Sequence, residues 1–246
     1  MDINKTLFDF KKKHKNKKNQ ILFHKANCHN NKIIENIINN FLIKKNSFIF
    51  ESVEKRKIRG RYTIIGADPD KIWEFNKQRI HLIENNKKKI INDSPYPFLK
   101  KLIENFNFPL PKNLPPLCSL LVGYFSYDII RYIEKVPDRC SDDLKIPDIR
   151  LMRPKTIIIH DNLLKKIYYI INCFGDEKIY NFEKYYLQQI HKIKYLKNLT
   201  FAYKKHKISK KKSTSKIKIK SNISKKRFKN IVLKAKKYIK KEIYFR

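Results

Sequence analysis

The chain has 246 residues, with 58 Lys plus Arg against 22 Asp plus Glu and a formal net charge of +36. A content of 41% hydrophobic and 13% aromatic residues is enough for a folded core, which excludes a wholly disordered chain. No run of about 18 uncharged apolar residues occurs, so no transmembrane helix is expected.

Residues 1–20 read as a basic N-terminal segment. Their start, MDINKTLFDFKKKHKNKK, has no apolar run before its lysines, and it carries Asp2 and Asp9. Neither a secretory signal nor a transit peptide has that order. Residues 32–43, KIIENIINNFLI, place Ile33, Ile34, Ile37, Ile38, Phe41 and Leu42 on one helical face. Ser47–Ser52 and Arg61–Gly66 read as strands, with Ile58–Gly60 in the turn between them. Lys71–Phe75 and Arg79–Glu84 alternate across the turn-like Asn76–Gln78, and Lys89–Asn92 follows as a strand end. This first half reads as an antiparallel meander.

Phe98–Phe106 reads as a short helix after Pro97, and Phe108–Pro116, with four prolines, as an extended connector. Leu117–Phe125 is apolar enough for a buried strand, and Tyr127–Lys135 for a helix after it. Pro147–Pro154 leads extended into a strand at Lys155–His160. Asp161–Leu164 turns the chain, and Lys165–Phe174 pairs back. Asp176–Leu196 is an amphipathic helix with Ile179, Phe182, Tyr186, Leu187 and Ile190 along one side. Lys204–Lys220 holds nine Lys and no acid, which marks a solvated connector. Ser221–Lys241 is a helix with Phe228, Ile231, Val232, Ala235, Tyr238 and Ile239 in register, capped by Ser224 or Ser221.

The charge sits mostly outside the best-patterned stretch. Residues 47–160 carry 21 Lys plus Arg against 14 Asp plus Glu, a net of +7, which leaves +29 for the other 132 residues. The basic runs lack interleaved Arg and aromatic residues, so no specific nucleic-acid reader is expected. An excess of Ile, Lys, Asn, Tyr and Phe also fits an A/T-biased genome. Cys28, Cys118, Cys140 and Cys173 form no CxxC pair and read as reduced thiols of a cytosolic protein.

Chemistry-bearing motifs are sparse. The sequence has no GxxxxGK[ST], GxGxxG, GxSxG or HExxH. His24, Cys28 and His29 are the nearest approach to a metal cluster and read as incidental. Glu51, with Ser52, ends an apolar strand, where a carboxylate needs a cationic or N–H partner. As a structural residue it would pair with Arg59 or Arg61; as a functional one it would hold the amino group of a small ligand. Gly123-Tyr124-Phe125-Ser126-Tyr127-Asp128 reads mainly as core packing, with Gly123 admitting a close backbone approach.

Four segments, in order, resemble one family. Ser47–Phe75, SFIFESVEKRKIRGRYTIIGADPDKIWEF, resembles the N-terminal region of anthranilate synthase component I, where one strand ends in Glu-Ser and a later one reads Arg-Tyr-Ser-Phe-Ile-Gly before an Asp-Pro. Leu121–Pro137, LVGYFSYDIIRYIEKVP, resembles that family's Gly-x-x-Gly-Tyr-x-x-Tyr-Asp segment. Pro147–Asp161 fits the next segment, and Ser221–Phe245 is similar to the helix that opens the family's chorismate-binding region. The resemblance covers most of Ile21–Arg246. Leu121, Thr63 and Lys241-Glu242 depart from the family pattern.

The resemblance implies an α+β fold, mainly antiparallel sheet with packed helices. It divides the chain into the basic segment 1–20, an N-terminal-like domain at 21–200, a Lys-rich linker at 201–220, and at 221–246 the first helix of a truncated chorismate-binding domain. It implies the conversion of chorismate and ammonia to anthranilate and pyruvate, with a glutamine amidotransferase subunit as partner. The family's Mg2+ carboxylates and acid-base residues lie in its later half, so the resemblance assigns no catalytic residue, metal ligand or cofactor to this chain. A separate catalytic-half polypeptide is then a further expected partner. Tryptophan is the implied effector, held in part by Glu51 and Ser52. The other readings are a non-catalytic tryptophan-binding or partner-binding module, or a degraded remnant. A cytoplasmic location is expected, with no membrane partner.

Overall fold

A computed structural model describes residues 6–29, 32–41, 44–51, 60–77, 79–106, 108–137, 142, 144–201 and 221–241. The chain forms two compact units, Met1–Lys204 and Lys205–Arg246. Unit 1 is α+β: an eight-stranded antiparallel sheet with helices packed against it.

The sheet is organised by two long strands, β3 (Tyr62–Asn76) and β7 (Ile149–Asp161), paired antiparallel along most of their lengths. Each has two sets of neighbours. Toward Tyr62 and Asp161, β3 also pairs with β2 (Phe48–Phe50), and β7 with β8 (Lys166–Cys173), which pairs with β1 (Gln20–Asn27). Toward Asn76 and Ile149, β3 pairs with β4 (Arg79–Glu84), which pairs with β5 (Lys87–Ile91), and β7 with β6 (Val122–Phe125). The halves meet where Pro69 faces Pro154, beside a register shift between Pro69 and Lys71. Neither proline has an N–H to give the ladder, and Asp68 adopts a positive φ of 53°.

The Asp-Pro-Asp of 68–70 therefore reads from sequence as a break between two strands, yet one strand continues through it as a bulge. Likewise Pro147–Pro154 and Lys155–His160 belong largely to one strand. Side chains hold the bulge. Arg153 forks onto Asp70 and donates Nη2–H to Asp176 Oδ1 at 2.9 Å, with its guanidinium 3.8 Å from the centre of the Phe174 ring. Asp68 accepts from Thr156 Oγ1 at 3.0 Å and pairs with Lys192 Nζ at 3.0 Å.

Three helices, α1 (Leu7–Lys15), α2 (Lys32–Phe41) and α4 (Phe182–Phe201), pack on one face of the β1–β8–β7–β3 half. Alternation along β8 explains why both faces are apolar. Ile167, Tyr169 and Ile171 meet the helices, while Tyr168 and Ile170 meet the opposite cluster. The proline-rich connector covers that opposite face with Phe108 and Leu114, and Cys118 just after it adds to the cover. The other half packs Trp73, Phe75 and Ile80 against α3 (Pro95–Glu104) through Phe98, Leu99 and Leu102.

The structure adds two elements to the sequence reading and corrects others. Residues 7–15 and 20–27 lie where the sequence offers only a basic run and no strand signal. They form α1 and β1, because Thr6 caps Asp9 N–H at 3.2 Å and Phe10 and His14, one turn apart, both bury. The strand expected over Leu117–Phe125 begins only at Val122, since Leu117 takes a positive φ of 67°. After it, the helical stretch expected over Tyr127–Lys135 is a short 3-10 helix, Tyr127–Tyr132. On α4, Leu187 is exposed, and Ile193 and Leu196 supply the buried side instead.

Unit 2 is described over residues 221–241. It holds α5 (Lys225–Lys240), capped by Ser224, whose Oγ accepts from Arg227 N–H at 3.3 Å. Phe228, Ile231, Val232 and Ile239 on it are exposed. Among the described residues, no helix is long and apolar enough to cross a membrane.

Candidate functional site

The register of β2 on β3 ends at the Phe50–Ile64 pair, so Glu51 emerges just past β2, at the end of the sheet where β3 begins. Gly60, at a φ of 77°, turns the chain into that start. Arg61, Tyr62 and Glu51 thereby line one open cleft of about 510 Å3, whose apolar walls are Ile49, Phe50, Ile64 and Leu117. Glu51 is exposed there.

Arg61 is committed to Asp161, at the far end of β7. Its Nε–H donates to Asp161 Oδ1 at 3.0 Å and Oδ2 at 3.1 Å, and Nη2–H donates to Oδ2 at 2.7 Å. The Asp161 carboxylate also accepts the Leu163 and Leu164 N–H groups, each at 3.0 Å. Burial opposes its ionisation, but the Arg61 fork and these amides outweigh burial and hold the carboxyl below the usual carboxylate range. The pair is asymmetric: the Asp161 side chain is 1% exposed and that of Arg61 28%. The guanidinium also lies over the Tyr62 ring, 4.9 Å from its centre.

This geometry bears on one of the two arginines considered as a partner for Glu51. Arg61 pairs with Asp161 and not with Glu51. Arg59 and Ser52 lie outside the described residues. Asp161 was legible only as a turn residue; the clue to its role was an acid in the HD pair at the end of an apolar strand.

The Gly123–Asp128 segment does not supply the core packing expected of it. Tyr127 is 91% exposed, Tyr124 and Phe125 are exposed, and Asp128 pairs locally with Arg131 at 2.9 Å. Gly123 does serve close approach: a Cβ there would stand 1.7 Å from the Arg150 carbonyl oxygen. Among the described residues, no three His, Cys, Asp or Glu side chains converge as metal ligands. Cys28, Cys118 and Cys173 are free and buried.

Strands β2 to β8, the cleft at the 51–61 end of the sheet and the bulge at 68–70 all fall within one family match. The sequence profile of the family described as chorismate binding enzyme covers residues 45–246, from before β2 through α5. The chain belongs to the chorismate-binding enzyme family. Its relatives include anthranilate synthase component 1 of Acetivibrio thermocellus, 32% identical over 206 residues, which are 78% of this chain and 40% of that protein. The protein of the same name from Cereibacter sphaeroides is 33% identical over 125 residues, 49% of this chain and 25% of that one. That from Aquifex aeolicus is 29% identical over 197 residues, 78% and 39% of the two chains. The chain thus spans less than half the length of these relatives. Among solved structures, the crystal structure of anthranilate synthase component I from Streptococcus pneumoniae TIGR4 aligns with a TM-score of 0.43 and 20% identity, over 63% of this chain and 33% of that one.

Proposed function

We propose that this chain is the N-terminal part of an anthranilate synthase component I, in a reaction that takes chorismate and ammonia to anthranilate, pyruvate and water. The observation that supports it is the 32% identity to a protein of that name over 206 residues. On this reading, residues 21–200 are the N-terminal-like domain, 201–220 a linker and 221–246 the opening helix of the chorismate-binding region. Ammonia comes from glutamine through a glutamine amidotransferase subunit. The Mg2+ site and the proton-transfer groups belong to the polypeptide matching the rest of the relatives' length, whether continuous with these residues or separate. On this reading the location is the cytoplasm.

The cleft at the 51–61 end is then an effector site for tryptophan. Glu51 is an exposed carboxylate suited to an α-ammonium, Ser52 follows it in sequence, and the walls at Ile49, Ile64 and Leu117 are apolar enough for an indole. Calorimetric titration of tryptophan tests the effector reading. Heats saturating with wild type and weakened at least tenfold in Glu51→Ala are expected; equal or absent heats in both would remove it.

A further inference from the structure

Helix α1 separates its residues cleanly into an inner and an outer face. Phe10 and His14 are buried against α4, with Phe10 stacked on Tyr185 and His14 edge-on to Phe182. A rotation of about 100° per residue gathers Phe8, Lys11, Lys12 and Lys15 on the outward face. All four are exposed, Phe8 at 75%. The lysines continue past the helix at Lys17 and Lys18. Among the described residues, none of Lys11, Lys12, Lys13, Lys15, Lys17 and Lys18 has an ion-pair partner. The acids around this helix are already taken. Asp9 accepts the Thr6 hydroxyl at 2.8 Å, Asp176 pairs with Arg153 and Lys71, and Glu177 pairs with Lys155. The patch is also held rigidly. His14 Nε2–H donates to the Glu177 carbonyl at 3.0 Å, and Gly175 N–H donates to Asn19 Oδ1 at 2.9 Å. The backbone of Lys17 lies so close that a Cβ on Gly175 would stand 2.1 Å from its carbonyl oxygen. The family profile begins at residue 45, so this helix lies outside it.

We infer that the outer face of α1 binds single-stranded nucleic acid without sequence preference, with Lys11, Lys12 and Lys15 on backbone phosphates and the Phe8 ring stacked on one base. The inference goes beyond the proposed function and does not depend on it. A bilayer surface holds a helix in proportion to the apolar area it buries, and one exposed ring offers little. One ring is enough to stack a base, provided that cations follow the backbone beside it. Lysines carry point charges without the fixed fork of arginine, so they track phosphates and select no base. That agrees with a basic run, Lys11–Lys18, that contains no Arg. The aromatic partner is hidden in the sequence because Phe8 precedes the run and joins it only through the turn of the helix. Bases paired inside a duplex do not present the face that Phe8 needs.

Fluorescence anisotropy of the full chain with labelled uridine oligomers of about 20 nucleotides tests this. Phe8→Ala should weaken their binding about fivefold or more. The same variant should bind inorganic polyphosphate, which has the charges and no bases, as wild type does. Lys11→Gln, Lys12→Gln and Lys15→Gln together should lower the steepness of log Kd against log salt by about 2, three phosphates at about 0.7 each on a single strand. An RNA duplex of the same length should bind without dependence on Phe8. Thymidine DNA oligomers should bind within about threefold of the uridine ones, because phosphates and base faces are common to both; a tenfold preference for either would overturn the reading. These side chains are exposed, so an unchanged urea midpoint confirms that each variant is folded. Binding that ignores Phe8→Ala and the lysine triple, yet falls when Lys210, Lys211 and Lys212 are all changed to Gln, assigns the attraction to the Lys204–Lys220 run and overturns the inference. Equal losses of polyphosphate and uridine oligomers in Phe8→Ala overturn it too. So does Phe8-dependent attachment to phosphatidylglycerol vesicles without uridine binding.

Discussion

Gly123 shows how one residue sets an edge of the sheet. It pairs with Leu151 across β6 and β7, and a Cβ would stand 1.7 Å from the Arg150 carbonyl oxygen. Gly123→Ala must push β6 off β7, at a cost of about 1–3 kcal/mol read from urea unfolding. An unchanged midpoint would contradict the close approach. Carboxylates set the pH response. Asp68, Glu74, Asp161 and Asp176 are each desolvated, yet Lys and Arg partners outweigh burial and hold all four below the ordinary carboxylate range. The unfolded chain therefore binds protons first on acidification. The stability these groups contribute is complete above the unfolded value of about 4 and is lost as pH falls through the lower folded values. Asp70 works in the opposite direction, because burial outweighs its Arg153 pairing and raises its carboxyl. With four groups against one, the urea midpoint should fall between pH 5 and pH 3; a flat profile would contradict the pairing.

The bulge is the element on which the sheet turns, and Arg153 is its clamp. Its side chain is only 10% exposed and it serves both Asp70 and Asp176. Arg153→Leu leaves both acids without that partner, for an expected loss of about 3 kcal/mol or more. Phe10→Ala should cost about 3–5 kcal/mol, because Phe10 is fully buried against Tyr185 and Tyr186 and anchors α1 to α4. A loss under 1 kcal/mol would show that α1 is peripheral. These elements also mark how far the sequence could be read. Helices α2, α4 and α5 and strands β4 and β8 show their periodicity in apolar residues. The continuity of β3 and β7 does not, because it depends on partners more than 80 residues apart (Asp70 with Arg153, Asp68 with Thr156), which local pattern cannot encode. Strand β1 is hidden by His24 and Lys25, which sit among its less buried positions. Glu51 was legible as a site residue from its place after an apolar strand; the Arg61–Asp161 fork was not, since its partners are 100 residues apart.

At the scale of the molecule, the +36 charge is divided between the two units, with 18 Lys plus Arg and one acid in residues 205–246, a net of +17, and the remaining +19 in residues 1–204. The core clusters and the whole sheet lie within Met1–Lys204, while residues 205–246 form a second unit. Residues 1–204 alone should therefore unfold in one cooperative urea transition; a broad, non-cooperative one would contradict the independence of the first unit. The most direct measurement of the proposed function is reconstitution. The chain is combined with a polypeptide supplying the catalytic portion of an anthranilate synthase component I, then given chorismate, ammonia and Mg2+. The account predicts anthranilate fluorescence that requires both polypeptides and is suppressed by tryptophan in wild type but not in Glu51→Ala. A folded pair that binds together and yields no chorismate-dependent anthranilate would contradict it.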